Sequence, residues 1–537
     1  MRATYRDFLE LFLLFCGSLL IFTWGLSSQE VVAFDSRFYL FALEMWRHGI
    51  SLFPTTYSRP YPDYPVTSTA LIYFFACLYG GLNKLTAILP SAIAASLTVV
   101  TTYLIGCLHQ KRLGFYAVLF LLLTIGFLKS ARSISLDMYP TLLTAGCFYL
   151  IYSADLLQRP RRSRWIYPLM TLSFAFRGPI GLVMPAGVIC VYYFLNLRIK
   201  KLVTTGIFAF LLLVALVAVL FAVAYYAGGE TFLRDVMRMQ ALGRIDNYYR
   251  PIYYYMTASL GGYALSFPLA CLVLLGVAIC KFKNENMPHT RFLLYLTGWV
   301  LIIMLGMSVP GDKKLRYILP IVPALSLLAA YPLAMNVKQT YFCCLRAILG
   351  WLFLFFPALC LLAIELIYLY AHRAGIDYKI PFVSLIFFFV SAQSIALITA
   401  YFCRHALRFD VILTLATAVF LVFYLTVVEP VSFYYDKARD AIAAIEMLRL
   451  KQDAQLVFYK EQPDGLPIKY LIDSPVETKP IFIETPAALL QFSGPAFFVA
   501  SAARFAELAH ERFTIIATIE MGHVRLVVFQ LKQKGER

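Results

Sequence analysis

Apolar runs recur along most of this chain, at residues 8–26, 67–81, 88–108, 113–129, 140–156, 165–176, 180–197, 202–226, 259–280, 291–308, 317–335, 347–369, 382–402 and 410–428. A helix crosses a bilayer with roughly 20 apolar residues, and it satisfies its own backbone where no water can. The runs therefore read as a polytopic α-helical membrane protein. Composition agrees, with 61% hydrophobic and only 14% charged residues, against about half and a quarter in soluble domains.

The formal net charge of +17 could suggest a nucleic-acid partner. The basic residues, however, fall in short clusters between the runs: Lys111-Arg112, 159–164, 198–201, 281–291, Lys338 with Arg346, and 403–408. In those places they act as cytoplasmic topology signals. With the N-terminus inside, the clusters stay inside only if 67–81 does not cross. Pro60, Pro62 and Pro65 crowd its entrance, so it reads as an interfacial or re-entrant helix. About thirteen spans remain, and 165–176 must cross although short. The first run follows Arg2 and Arg6 and lacks a small-x-small cleavage site, so it is expected to be a retained anchor.

This topology makes 1–428 a transmembrane domain with a first external loop at 27–87, and 429–537 a soluble external α/β domain. In the tail, 436–451 has helical periodicity, "AQLVFYK" reads as a strand, and a hairpin is expected around Met521-Gly522. The cysteines lie in or beside apolar runs, with none after Cys403, so no disulfide framework or CxxC metal site is implied.

The external segments hold the residues that topology leaves unexplained. Asp35, in "FDSRFY", either caps the helix 36–48 or serves as a general base. Asp137, in "SARSISLDMYP", is likewise a cap before Pro140 or a second carboxylate of a site. Arg177 in "FRGPIG", and Lys313, Lys314 and Arg316 beside Tyr317 in "PGDKKLRYILPIVP", are external cations that break the positive-inside pattern. They suit a phosphate at the outer face, or they snorkel to headgroups. Arg244 and Arg250, in an aromatic loop, could join them. The proline-ruled segment 54–68 adds Arg59, Tyr61 and Asp63 as a substrate-covering loop. No Walker A, GxGxxG, HExxH or GxSxG stands in a usable context, which argues against nucleotide-driven chemistry and for a lipid-borne donor.

In this order, the motifs resemble the GT-C superfamily, in particular bacterial relatives of the protein O-mannosyltransferases that include the 4-amino-4-deoxy-L-arabinose lipid A transferase. The resemblance is carried by Asp35-Ser36-Arg37-Phe38-Tyr39 through Glu44-Met45, Leu136-Asp137-Met138-Tyr139-Pro140 and Arg177-Gly178-Pro179-Ile180-Gly181. It continues in Tyr249-Arg250-Pro251-Ile252-Tyr253-Tyr254 and in Lys313 to Pro323. It covers residues 1 to about 335. Where the family's first loop has a lysine, this chain has Tyr64, with Arg59 as a candidate substitute.

The resemblance implies a GT-C type fold and an inverting, polyprenyl-phosphate-dependent glycosyltransferase in the bacterial inner membrane, its C-terminal domain periplasmic. The acceptor is a lipid A or other glycolipid, a glycan or a protein. Asp35 and Asp137 are then the catalytic pair. Arg59, Arg177, Arg244, Arg250, Lys313, Arg316 and Tyr317 bind donor phosphate, and Tyr61 and Asp63 serve the acceptor loop. No cofactor is expected, with a divalent cation at Asp63 as the alternative. A multipass transporter or lipid flippase is the rival reading, which would favour mid-bilayer charges and inverted repeats.

Overall fold

A computed structural model describes residues 5–32, 34–242, 250–335, 337–375, 378, 380–403, 405–433, 438–508, 512–521 and 524–532. Among them, eight helices are long and apolar enough to cross a membrane, and two bent pairs bring the total to at most ten.

The first anchor is α1 (Tyr5–Thr23). It is followed by α2 (Asp35–His48), the short ribbon β1 (Thr55–Thr56) and β2 (Arg59–Pro60), and α3 (Thr67–Tyr79). At 13 residues α3 is too short to cross, as expected for 67–81. Next come α4 (Lys84–Cys107), α5 (Lys111–Leu122) and α6 (Ile125–Ala131). α5 and α6 are one apolar stretch bent by 76°. The break lies at Thr124, whose hydroxyl contacts the Phe120 carbonyl at 2.8 Å and Ser266 Oγ at 2.6 Å.

α7 (Met138–Leu156), α8 (Ile166–Arg177) and α9 (Pro179–Leu195) follow. All three occupy positions read as spans, yet none meets the length and apolarity of a span by itself, so helix geometry supports fewer crossings than the expected number. The long α10 (Ile199–Met237) is kinked at Gly228-Gly229. Beyond it are Tyr254–Gly262 and Ser266–Phe282, bent by 114°, then Thr290–Ser308, Leu315–Ala334, Thr340–Ala374, Phe382–Phe402 and Arg408–Ser432. The last of these continues past residue 428, so the expected domain boundary falls slightly early.

Charge pairing sorts the two ends of the bundle. At one end Lys111 Nζ meets Asp7 Oδ1 at 2.9 Å, Arg112 meets Asp410 at 3.0 Å and Arg198 meets Asp155 at 2.5 Å. These are the groups assigned to the cytoplasmic side by charge. The other end carries the end of α1, the start of α4, the end of α6, the start of α7 and the end of α8.

The C-terminal region is a small α/β unit with a five-stranded sheet in the order β4-β3-β5-β7-β6. β3 (Gln455–Tyr459) runs parallel to β4 (Ile481–Ile483) and β5 (Ala496–Ser501). β6 (Phe513–Met521) and β7 (Val524–Leu531) form the antiparallel pair anticipated as a hairpin; Gly522 lies outside the described residues. The helix Arg439–Lys451 is also where periodicity placed it. This unit docks on the first loop: Tyr57 Oη donates to the Pro463 carbonyl at 2.6 Å, and Lys469 Nζ reaches Glu30 at 3.1 Å.

Candidate active site

A cavity of about 400 Å³ opens at the end of the bundle where α2 meets the tips of the spans. Local sequence explains how the cationic residues reach it. In "RGPIG", Gly178 takes φ +65°, a left-handed turn that suits glycine. Pro179 then starts α9 at a position where its missing N–H costs nothing. A Cβ on Gly181 would sit 2.1 Å from the Ser173 carbonyl, so only glycine lets α8 and α9 close this tightly. The turn leaves Arg177 at the end of α8, buried and aimed into the cavity.

Arg177 Nε donates to Asp137 Oδ1 at 2.7 Å, and Arg316 Nε lies 3.6 Å from Asp137 Oδ2. Arg177 also sits over the rings of Tyr317 at 5.3 Å and Tyr64 at 5.9 Å. Arg316 is stacked 3.7 Å from the Phe34 ring centroid. Guanidinium groups held this way are rigid and only partly neutralised, which suits them to an anion.

Asp35 is the first residue of α2, one past the N-cap Phe34, where no side-chain cap bond is made. Its carboxyl lines the cavity. Burial pushes its pKa up to about 6, partly opposed by a hydrogen bond from the Ile134 backbone and by the charges of Lys84, Arg316 and Lys129. Asp137 also makes no cap bond. It is committed to two arginines, so it positions cations and is not available as a base.

The cavity thus joins Asp35, Asp137, Arg177 and Arg316 with Lys314, whose ammonium pairs with Asp312 at 3.0 Å. The remaining expected site residues lie elsewhere. Tyr317 stands behind the cavity wall, its hydroxyl 3.2 Å from Asp312. Lys313 is buried and donates to the Arg250 carbonyl at 2.9 Å, and Arg250 packs over Tyr254 at 4.7 Å; neither lines the cavity. Arg59 is exposed on β2, across α2, and cannot replace the missing loop lysine in this cavity. Tyr61 donates to Asp464 Oδ2 at 3.2 Å and so holds the C-terminal unit. Asp63 offers its backbone carbonyl to Gln240 at 2.5 Å. Arg244 lies outside the described residues. Among the described residues, no three His, Cys, Asp or Glu side chains converge on a metal position, Asp63 included.

Sequence reasoning passed over Lys84, Lys129, Arg132 and Glu429, all of which line the cavity. Arg132 and Glu429 form a buried pair, Nη2 to Oε2 at 2.6 Å. Arg132 also donates to the carbonyls of Ile21, Phe22 and Trp24 at the end of α1. Lys84 Nζ donates to Gln29 Oε1 at 2.9 Å, and Gln29 in turn reaches Glu429. The signal that found Arg177, a cation at the outer end of an apolar run, applied equally to Lys84 and Arg132.

With this geometry in view, the likenesses are consistent. Residues 63–226 match the family described as dolichyl-phosphate-mannose-protein mannosyltransferase. An uncharacterised protein of Aquifex aeolicus (strain VF5) is 23% identical over 346 residues, covering 62% of this chain and 75% of that protein. ArnT from Cupriavidus metallidurans bound to undecaprenyl phosphate aligns with a TM-score of 0.71 at 17% identity, covering 98% of each chain. Its apo form gives 0.69 at 16%, covering 97% of this chain and 98% of that one. The fold is the GT-C type of membrane glycosyltransferases, with a small C-terminal sheet unit.

Proposed function

We propose that this protein is a membrane glycosyltransferase that moves a sugar from a polyprenyl-phosphate donor to an acceptor on the outer face of a bacterial inner membrane. The observation that carries the reading is Asp35, a carboxyl with a raised pKa that shares one cavity with Arg177, Arg316 and Lys84. A base titrating near 6 is mostly ionised at neutral pH yet still basic enough to take a proton. The match to the mannosyltransferase family over residues 63–226 and the ArnT-like fold support the same class.

In the proposed step, Asp35 accepts the proton of the acceptor hydroxyl. The freed oxygen pair forms a bond to the anomeric carbon from the face opposite the phosphate, inverting it. The bond from that carbon to the phosphate oxygen breaks, and its electron pair leaves on the polyprenyl phosphate. Arg177 and Arg316, fixed by Asp137, stabilise that developing anion. Where the acceptor is itself a phosphate, Asp35 orients it and balances the positive charge growing on the sugar. No step requires a metal. Lipid A, another glycolipid, a glycan or a protein hydroxyl would each fit as acceptor.

The test compares lipid A and glycan masses in a deletion strain with those in its parent, then complements with wild type and with Asp35→Asn. Loss of one sugar increment, restored only by wild type, is the expected result. Full restoration by Asp35→Asn would refute the assignment.

A further inference from the structure

A second cavity, of about 420 Å³, lies between the first loop and the C-terminal unit. Leu40, Glu44 and Arg47 of α2 border it, at a spacing that puts all three on one helix face. Asp35 and Phe38 border the first cavity from the opposite face. α2 therefore separates the two spaces.

The charges of this second cavity are unbalanced. Arg47, Arg59 and Lys479 line it, are exposed to it, and among the described residues their side chains make no ion pair or hydrogen bond. The carboxylates nearby are already engaged. Glu44 is buried, and its two oxygens accept from the Ser58 backbone N–H at 3.4 and 3.1 Å. Glu477 pairs with His48 at 3.0 Å. Glu44 is holding an unusual turn: Tyr57 and Ser58 both have positive φ, 53° and 62°, between β1 and β2. Asn-Gly or a similar pair normally fills such a turn, so Tyr-Ser there is strained and persists because its surroundings hold it. The turn sets Tyr57 edge-on against Phe482, centroids 5.5 Å apart, as one wall of the cavity. Three cations without an ion-pair partner, outnumbering the two lining carboxylates Glu44 and Glu477, form with the aromatic wall and room for a small polar molecule a site for a phosphate-bearing ligand.

We propose that this cavity binds a phosphate group, carried by an anionic lipid headgroup or by a free phosphate, and that it is separate from the sugar-transfer site. Arg47 lies twelve residues from Asp35 on the same helix, about 18 Å at 1.5 Å per residue. A ligand drawing Arg47, Arg59 and Lys479 together ties the C-terminal unit to α2 and steadies the helix that presents Asp35.

The test is calorimetric titration of the full chain in neutral detergent with inorganic phosphate, with short-chain phosphatidylglycerol, and with short-chain phosphatidylcholine as the neutral control. The triple variant Arg47→Gln/Arg59→Gln/Lys479→Gln is compared with wild type, and unchanged thermal unfolding shows that it is folded. The variant should lose one binding site, or bind at least tenfold more weakly, for at least one of the two anionic probes. Loss for phosphate identifies the free anion as sufficient, and loss for the lipid alone identifies a headgroup. Equal behaviour of wild type and variant towards both anionic probes, absence of binding included, would overturn the proposal, as would an equal loss towards phosphatidylcholine. Asp35→Asn should keep this site whether or not it transfers sugar, so the two readings fail separately.

Discussion

Asp137 Oδ1 accepts a hydrogen bond from Arg177 Nε at 2.7 Å, with both side chains only 6% exposed. The pair joins the start of α7 to the end of α8, and it decides which charges remain available in the cavity.

Removing one partner strands the other charge. Breaking a buried pair costs about 3–5 kcal/mol. Asp137→Asn should therefore lower the unfolding midpoint in detergent by several degrees and abolish transfer. The double variant Asp137→Asn/Arg177→Gln should regain much of the stability and none of the activity. A single variant with wild-type stability would show that the pair does not hold this junction.

Asp35 has a pH signature of its own. Its folded pKa of about 6 stands above the ordinary 3.8, so the unfolded chain releases this proton first. Its contribution to stability is thus present at low pH and declines as pH rises from about 4 to about 6. Transfer should climb from about pH 5 to about pH 7, half-complete near pH 6, as the base of the folded enzyme ionises. Asp35→Asn should remove both pH dependences, leave stability at neutral pH equal or higher, and slow transfer about 10²–10⁴-fold. A rate profile flat from pH 5 to 8 in wild type would argue against Asp35 as the base.

Lys84 favours the ionised form of Asp35. Lys84→Met should move the acidic limb of the transfer profile to higher pH. A merely structural role for Lys84 would lower the rate at every pH and leave the limb in place.

Glu429 closes the chain that runs from Lys84 through Gln29, with Arg132 on its other side. Glu429→Gln leaves Arg132 buried without a countercharge and should cost about 3–5 kcal/mol. Thermal unfolding checks this, and Glu429→Gln combined with Arg132→Met should recover part of the loss.

Tyr64 stands where the resembling family has lysine. Here its ring is buried against Phe38 at 5.0 Å and stacked on Tyr61 at 6.0 Å, below Arg177. Tyr64→Lys would lose that packing and place an ammonium beside a buried guanidinium. Both stability and transfer should fall. A gain in transfer would show that the cavity lacks a cation at this position.

Much of the fold was legible because hydropathy and charge act locally. The non-crossing helix at 67–81 followed from its prolines, and the tail's helix and hairpin followed from periodicity. The site was legible only in part. Arg177 and Arg316 stood out as cations on the wrong side for topology and did converge. Lys313 and Arg250 stood out for the same reason, yet they hold each other's loop. Lys84, Arg132 and Glu429 went unnoticed because each looks like an ordinary helix-end charge until the chain brings them together.

By itself, then, the sequence determined a succession of membrane helices, the end of the bundle at which unexplained charges gather, and a small α/β tail. These properties add up residue by residue along the chain, so no partner need be known. Only the tertiary structure decided what each charge does. Asp35 and Asp137 are both acids just before a helix and look equivalent in one dimension. Burial without a countercharge in direct contact raises the pKa of one, while Arg177 and Arg316 occupy the other. A carboxylate's chemistry is set by what lies within a few ångströms of it, and that is a property of the fold.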